Sequence, residues 1–507
     1  MLQSSLRLTK VNLTNFKAFD ELSISFPQKI NLIMGENSSG KSSIIKSIIA
    51  MKQTFSVTNE YEVFAANGDY VELGIYGDYV HSHDDKKDIT FGFEFHGNKY
   101  EQEISRWWSP PNINDFNNIQ EISSELNDDD DIHEPPLSSL IEITYDKDYK
   151  TSQARLKSIK IIAHIESYGQ AHFYVERAKT RSHYYLKTDR SLVDWIINNH
   201  EHIDIDIDKL SDFLLKNYLR IEKANRLDFE LMYPSPPFDS RSDSYELSSL
   251  SDELFDMFNE ALKKMLSILD SKTYYLAPIR SSPLRSYKRS SHSKSIGISG
   301  AYTASVLANL QAAASRGSTI ERAKLAKFNN WLNIIFPNTK VQAQTIDELV
   351  KIKLENNKLQ SDDTITDVGF GFSQVLPILI QGALLNPNEL LIIEQPELHL
   401  HPNAQFLFAQ VLCSMANSGV QLLIETHSEH LLRGIQLEIS KHRIDNSTGI
   451  NHKDLNIMYI NKNNKEINYI QVNEYGEITS NWPSGFLDAA YNATMEIMKN
   501  KNIKVES

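Results

Sequence analysis

The sequence predicts an α/β fold, and three stretches with the same layout indicate it. Each is a short apolar run, of the kind that forms a strand buried on both faces of a sheet, followed by polar residues or glycines. The runs are KINLIM at 29–34, LLII at 390–393 and VQLLIE at 420–425. Ligands of open α/β sheets bind beyond the carboxyl ends of such strands. The residues after these runs are therefore the first candidates for a binding site.

The first run leads into a phosphate-binding loop. Residues 35–42 read GENSSGKS and fit the pattern G-x-x-x-x-G-K-[ST], and an apolar stripe of isoleucines follows at helical spacing. Backbone N–H groups and the positive end of the helix dipole would face the phosphates of a nucleotide. Lys41 would reach the β- and γ-phosphates, and the Ser42 hydroxyl would bind Mg²⁺. The predicted phosphate-binding residues are Gly35, Glu36, Asn37, Ser38, Ser39, Gly40, Lys41, Ser42 and Ser43.

The other two runs end in candidate catalytic residues. Glu394 follows the second run and would hold Mg²⁺ directly or through a water. His427 follows the third run and could touch and sense the γ-phosphate. A second glycine-rich turn, DVGFGFSQ at 367–374, precedes an apolar helix and forms a second potential anion site. The two turns make sense together if they serve one nucleotide from opposite sides, one turn from each of two subunits.

Composition limits the classes of protein. The chain has 507 residues, a formal net charge of −14 and one cysteine, Cys413. The acidic balance does not support a general DNA-binding surface and leaves only a local basic groove open. The lone cysteine excludes an intramolecular disulfide framework and fits a reducing compartment. With no signal-peptide pattern and no apolar run of membrane-spanning length, we expect a cytoplasmic protein without a membrane partner.

The chain divides into four predicted parts. Residues 1–105 are strand-rich, and Leu6–Leu13 and Glu21–Phe26 alternate in the manner of antiparallel strands. Residues 106–270 are expected to form a mainly helical insertion, with helical patterns at Leu210–Ile221 and Leu247–Leu269. Residues 271–450 carry the later motifs and a basic, serine-rich segment at 280–294. This segment is interpreted as a loop, either solvated or in contact with a phosphate or nucleic acid. Residues 451–507 are expected to form a hairpin and a terminal helix.

Several strings together give a family resemblance: GENSSGKSS, LAPIRSSPLRSY, TDVGFGFSQVLPIL, LLIIEQPELHLHPNAQ, LLIETHSEHLL and EYGEITSNWPSGFLD. They resemble the ABC-type ATPases of the RecF, SMC and OLD group, and more closely a bacterial family of ABC-like ATPases often called AAA family ATPases. The resemblance covers residues 1–100 and 270–490. It implies an ABC-ATPase-like P-loop fold with a mixed sheet, ATP and Mg²⁺ as cofactors, and a homodimer or higher homo-oligomer.

The resemblance also assigns roles to individual residues. Glu394 takes the Walker B position, His427 the switch-histidine position, and Gly369, Gly371 and Ser373 belong to the signature loop. Gln53 is the candidate Q-loop glutamine and, with Ser42 and Glu394, a candidate Mg²⁺ ligand.

One position departs from the wider superfamily. Typical members carry Asp-Glu at the Walker B end, with Glu as the general base, whereas this chain has Glu394-Gln395. Gln395 can orient a water but cannot take its proton. Glu397 is a nearby carboxylate that could substitute as the base. The sequence therefore predicts ATP binding with slow hydrolysis.

A metal centre competes with the ATPase interpretation of this region. Glu397, His399, His401, His427 and His430 are side chains of the type that bind zinc.

Three functions follow. Only 57 residues come after position 450, too few for the TOPRIM nuclease of OLD-type proteins, and long heptad arms of the SMC kind are absent from the sequence. The first hypothesis is therefore a sensor or regulator of a partner effector, a nuclease or toxin, as in bacterial anti-phage systems. The alternatives are a RecF- or SMC-like DNA repair or DNA-binding ATPase, and a nucleotide-bound scaffold that barely hydrolyses ATP.

Overall fold

The computed structural model describes residues 6–56, 63–97, 137–165, 168–178, 183–199, 219–225, 228–232, 241–290, 295–356, 363–366, 370–480 and 495–496. The chain forms two compact units. Unit 1 comprises residues 1–25 and 47–271, and unit 2 comprises residues 26–46 and 272–507. Helix α1, Lys41–Ser56, begins in unit 2 and ends in unit 1.

Unit 1 is built on a nine-stranded antiparallel sheet with the order β10-β9-β8-β7-β6-β5-β4-β1-β2. The predicted pairing of the two N-terminal stretches is confirmed, since Leu13 lies opposite Leu22 and Phe16 opposite Phe19. The strands are β1 Arg7–Phe16, β2 Phe19–Ser25, β4 Ile89–Gly97, β5 Leu137–Lys147, β6 Ala154–Ile165, β7 Gly169–Arg177, β8 Tyr184–Thr188, β9 Leu219–Asn225 and β10 Asp228–Met232.

Several helices lie in the described part of unit 1. They include α2 Tyr76–Tyr79, α3 Arg190–Asn199 and α4 Arg241–Ser271. The amphipathic pattern ending at Leu269 is confirmed as α4, which buries Leu250, Leu254, Phe258, Leu262, Met265 and Leu269.

The prediction of a mainly helical insertion at 106–270 is wrong for the described residues, because β5 to β10 come from it. Segments such as 154–165 alternate with the two-residue period of a strand, and packing of that alternation on one sheet face decides their structure. The helical pattern from Leu210 ends in β9 and lies otherwise outside the described residues. Within the part predicted to be strand-rich, residues 76–79 form the short helix α2 instead.

Unit 2 is built on a six-stranded sheet with the order β11-β16-β17-β3-β18-β19. All neighbours are parallel except the last pair, which forms the predicted C-terminal hairpin. The three predicted buried strands, β3, β16 and β17, are adjacent and buried along their whole lengths. The strands are β3 Ile30–Gly35, β11 Thr273–Leu276, β16 Leu390–Glu394, β17 Gln421–Glu425, β18 Leu455–Ile460 and β19 Ile467–Ile470.

A smaller sheet and a set of helices complete unit 2. The sheet has the order β12-β14-β13, with β15 also paired to β14. Its strands are β12 Tyr287–Lys288, β13 Thr339–Ile346, β14 Leu349–Asn356 and β15 Asp363–Thr364. The helices are α5 Thr303–Ser315, α6 Thr319–Ile335, α7 Phe370–Leu384, α8 Pro402–Asn417 and α9 Glu429–Ile444. Within the described ranges, no helix is long and apolar enough to cross a membrane.

Candidate functional site

The glycine-rich loop connects β3 to α1 in unit 2, as the sequence predicted. Gly35 has a φ of 145°, and a Cβ there would lie 2.6 Å from the Ile460 carbonyl oxygen. Gly40, with a φ of 110°, also has a backbone that other residues rarely adopt. These two glycines allow the chain to turn from the sheet edge directly into the N-terminus of a helix. That geometry leaves backbone N–H groups free for an anion.

Lys41 lies folded into this loop. Its Nζ donates to the carbonyl oxygens of Gly35, at 3.0 Å, and Glu36, at 2.7 Å. The side chain is buried, and burial lowers the pKa of the ammonium, while the Glu425 and Glu36 carboxylates partly offset this effect. Because its hydrogen bonds go to neutral carbonyls, this desolvated cation would gain from an anionic hydrogen-bond partner such as a phosphate.

Two carboxylates meet beside the loop. Glu394 ends β16 and Glu425 ends β17, and the two are register partners on adjacent parallel strands. The Ser42 hydroxyl donates to Oε2 of Glu425 at 3.3 Å, and the Tyr275 hydroxyl donates to Oε1 of Glu394 at 2.7 Å. Burial raises the pKa of Glu394. Burial and then the charge of Glu394 raise the pKa of Glu425 to about 7.

This cluster fits a divalent cation. No group of three or more His, Cys, Asp or Glu side chains in the described part of the chain could hold a metal ion. Mg²⁺ does not need one, because proteins usually hold it with one or two carboxylates together with substrate phosphates and waters. Ser42, Glu394 and Glu425 could supply such hard oxygen ligands.

The turn after β16 is strained. Gln395 has a φ of 44°, a left-handed conformation unusual for a residue with a side chain, and its N–H donates to the Glu425 carbonyl oxygen at 2.7 Å. Such conformations cost about 1–3 kcal/mol and persist where the surroundings enforce them, commonly at functional sites. The half-buried Gln395 side chain therefore starts from a fixed position at the carboxyl edge of the sheet.

Glu397 and His427 lie in the same region. The backbone N–H of His427 donates to Oε1 of Glu397 at 2.9 Å. Burial raises the pKa of Glu397. Burial, followed by the charge of Lys41, lowers the pKa of His427. His427 thus tends to be neutral next to the loop.

Sequence reasoning missed three residues here: Tyr275, Arg280 and Glu425. Arg280 begins the basic segment for which the sequence allows a solvated loop or a phosphate contact, but it is 3% exposed and its Nη2 donates to the Glu394 carbonyl oxygen at 3.0 Å. Glu425 could have been predicted from the sequence, because it is an acid that ends a buried apolar strand. Tyr275 and Arg280 could not, because β11 reaches the site only through the strand order of the sheet.

The second glycine turn is described only in part. Residues 367–369, including Gly369, lie outside the described residues. Gly371 lies in the first turn of α7, where a Cβ would approach the His399 carbonyl oxygen to 2.7 Å. Ser373 is buried in the same helix. The expectation that this turn faces the nucleotide of another subunit remains a prediction.

Gln53 requires a correction, because all hydrogen-bonding positions of its side-chain amide are used inside unit 1. Nε2 donates to the carbonyl oxygens of Ala65 and Val71, at 2.8 and 3.0 Å. Oε1 accepts from the N–H groups of Tyr70 and Val71, also at 2.8 and 3.0 Å. An amide has two donor hydrogens and two acceptor lone pairs. Gln53 therefore fastens the loop at 65–71 and has nothing left for a metal ion.

The histidines of the competing metal hypothesis have separate surroundings. His401 caps the N-terminus of α8, and its Nδ1 accepts from the Asn403 N–H at 3.4 Å. The ring of His430 packs on Phe406 with centroids 5.4 Å apart. His399 is exposed and has a φ of 65°.

Comparison with known proteins places this site in a family. A family model described as AAA ATPase domain matches residues 7–432, and a model of a protein of unknown function (DUF3696) matches residues 450–497. The DNA replication and repair protein RecF of Lysinibacillus sphaericus is 34% identical over 70 residues, or 13% of this chain and 19% of RecF. RecF of Cytophaga hutchinsonii is 30% identical over 95 residues, which is 18% of this chain and 24% of that RecF protein. These matches thus span a quarter or less of the RecF proteins.

Solved structures of SMC heads align over most of the chain at low similarity. An SMC head bound to the C-terminal winged-helix domain of ScpA gives a TM-score of 0.39 with 10% identity, covering 92% of this chain and 97% of that one. The SMC head domain from Thermotoga maritima gives a TM-score of 0.32 with 11% identity, and the alignment covers 92% of this chain and 99% of that domain. The family match is the decisive comparison, because it runs through the loop and both carboxylate strands. The chain belongs to the AAA ATPase domain family.

Proposed function

We propose that this chain is a nucleotide switch that binds Mg²⁺-ATP at the end of β3 and hydrolyses it slowly. The observation that supports this most is the buried Lys41 ammonium, held by two loop carbonyls beside Ser42 and two carboxylates. A triphosphate would replace the neutral carbonyls as the partner of the cation. That exchange strengthens the hydrogen bonds of Lys41, because charge-assisted bonds are about twice as strong as neutral ones.

Other residues of the chain would bind the metal ion and orient the attacking water. Ser42, Glu394 and Glu425 would hold Mg²⁺, which neutralises phosphate charge when bound. Gln395, fixed by its strained backbone, can hold a water by accepting or donating a hydrogen bond, but its amide cannot remove the proton. His427 would lie near the γ-phosphate as a neutral group. A site that binds and orients without a strong base turns over slowly.

Slow turnover suits regulation. We propose that the ATP-bound chain forms a homodimer or higher homo-oligomer and controls a partner effector, a nuclease or toxin, in anti-phage defence. The resemblance of the motifs to ATPases of such systems supports this role. The second glycine turn at α7 supports the assembly, since it needs a phosphate from another subunit to complete an anion site.

A RecF- or SMC-like role on DNA is the second candidate. The local identity with RecF favours it. The charges of unit 1 do not, because lysines along its sheet pair with acids: Lys10 with Glu94, Lys160 with Glu142 and Lys187 with Glu176. Paired lysines contribute little to phosphate binding.

The first experiment is isothermal titration of the full chain with ATP and Mg²⁺. Lys41→Ala should abolish measurable binding, and Lys453→Ala, at an exposed lysine of the same unit, should leave it unchanged. Equally tight ATP binding by Lys41→Ala would refute the proposal.

Two further measurements separate the roles. Light scattering should show association on addition of ATP, and a monomer under all conditions would contradict the assembly. Titration with duplex DNA tests the RecF- or SMC-like role. It is done at about 50 and about 200 mM salt, because binding through phosphate contacts weakens strongly over this range. Strong, salt-sensitive DNA binding would favour that candidate over effector control.

A further inference from the structure

Arg280 is a buried cation whose hydrogen bonds are incomplete. Its guanidinium is 3% exposed, and only Nη2 has a partner, the Glu394 carbonyl oxygen. Among the described residues, Nε and Nη1 have no hydrogen-bond partner. Leaving a buried charged donor unsatisfied is expensive, so a folded protein retains one only where another charge compensates it.

Glu397 is the matching anion. Of the two carboxylates that raise the pKa of Arg280, Glu397 has the larger effect and Glu394 the smaller. Oε2 of Glu397 is buried and, within the described ranges, has no hydrogen-bond partner either. Arg280 therefore has two unsatisfied N–H groups at the end of β16, and Glu397 has one unsatisfied oxygen in the turn that follows this strand.

The other oxygen of Glu397 has a structural task. Oε1 accepts from the His427 N–H at 2.9 Å. His427 belongs to the segment that follows β17. Glu397 thus connects the turn after β16 to the segment that carries His427.

We infer that Glu397 and Arg280 form a buried charge pair bridged by one water, and that this pair fixes the His427 segment against the end of β16. Glu397 is then a positioning residue. It is not the displaced general base, because a base needs an oxygen free to reach the attacking water. The pair itself stands on contacts in the chain, while its effect on turnover rests on the proposed ATPase function.

The pair is tested by a double-mutant cycle of melting temperatures without nucleotide, which keeps this test independent of ATP binding. Arg280→Met and Glu397→Gln should each lower Tm, because each leaves one buried charge alone. The double variant should melt above Arg280→Met, since it removes both charges. In the control cycle, Arg280→Met is combined with Glu348→Gln at an exposed carboxylate, and the effects should add.

Additive losses in the Arg280–Glu397 cycle would overturn the pair. If Arg280→Met does not fold alone but the double variant does, the pair is supported. If neither variant folds, the cycle is repeated with Arg280→Gln in place of Arg280→Met. Non-additive changes in Tm would again support the pair, and additive losses would overturn it.

The positioning role is tested by single-turnover ATP hydrolysis in three chains. Glu397→Gln keeps an acceptor at Oε1 and should hydrolyse within about tenfold of the unmodified chain, whereas Glu397→Ala should lose considerably more. A general base instead predicts that both variants lose about 10²- to 10⁴-fold. Equal losses in the two variants, or no loss in Glu397→Ala, would overturn the positioning role. ATP binding, measured alongside with Lys41→Ala, shows separately whether the proposed function holds.

Discussion

The carboxyl group of Glu425 gives the sharpest energetic prediction. Its pKa is raised from 4.5 to about 7 by burial and then by the charge of Glu394. At about 1.4 kcal/mol per pH unit, that difference corresponds to about 3 kcal/mol of unfolding free energy. Below pH 4.5 the group is neutral whether the chain is folded or unfolded. Between 4.5 and about 7 only the unfolded chain ionises, so stability falls with rising pH and the full loss is reached above about 7.

Glu425→Gln removes this loss, because the amide has the shape of the carboxyl group and carries no charge. In metal-free buffer at pH 8 the variant should be more stable than the unmodified chain by up to about 3 kcal/mol. Near pH 4.5 the two should converge. A change of 1 kcal/mol moves Tm by about 2–4 °C in a domain of 150–250 residues, so the difference at high pH is several degrees.

The assay is thermal unfolding at a series of pH values, with Glu348→Gln as the matched control at an exposed carboxylate of the same unit. The control should show no such pH-dependent difference. Addition of Mg²⁺ should stabilise the unmodified chain more than Glu425→Gln, because the cation would offset the repulsion between the carboxylates of Glu394 and Glu425. A Tm difference that is the same at every pH would refute the assigned coupling between the two carboxylates.

Three other predictions concern single side chains. Gln395→Glu should raise basal ATP hydrolysis by up to about 10²-fold, which is the lower end of the rate gain that a general base provides. The rate is measured in a steady-state assay, and an unchanged rate would mean that proton removal from the water is not the slow step. Tyr275→Phe removes a hydrogen-bond donor from Glu394 and should weaken Mg²⁺ binding by about 10- to 100-fold, as measured by calorimetry. An unaltered affinity would show that Tyr275 does not support Glu394 as a Mg²⁺ ligand. Gln53→Ala should lower stability by about 2–5 kcal/mol in denaturant unfolding, because it orphans four buried backbone groups, without a matching loss of ATP affinity. A selective loss of Mg²⁺-ATP binding would restore Gln53 to the site.

The sequence predicted the parts of the site that are local along the chain. The strand, the glycine loop and Lys41 lie within fifteen residues or so, and their roles follow from short-range geometry. The three buried strands were recognisable because continuous apolar runs are typical of parallel strands covered on both faces. Glu394 could therefore be placed at the carboxyl edge of the sheet before the strand order was known.

The parts that could not be predicted depend on long-range order. Tyr275 and Arg280 contact Glu394 from 119 and 114 residues away, because β11 lies beside β16. Nothing in the segment around Arg280 distinguishes it from a solvated basic loop. The helical prediction for 106–270 failed for a related reason. The two-residue alternation there becomes decisive only when neighbouring strands form a common buried face.

The same edge of the sheet gives a physical reason for a glutamine at position 395. Glu394, Glu397 and Glu425 already place three buried carboxyl groups there, and each has a raised pKa. A glutamate at 395 would add a fourth acid at the same edge. In the nucleotide-free chain that acid would increase the repulsion that Lys41 and Arg280 only partly offset. Under the proposed mechanism, Gln395 therefore limits this repulsion before ATP binds and also slows hydrolysis. Both effects would favour a protein that waits between nucleotide states over one that cycles rapidly.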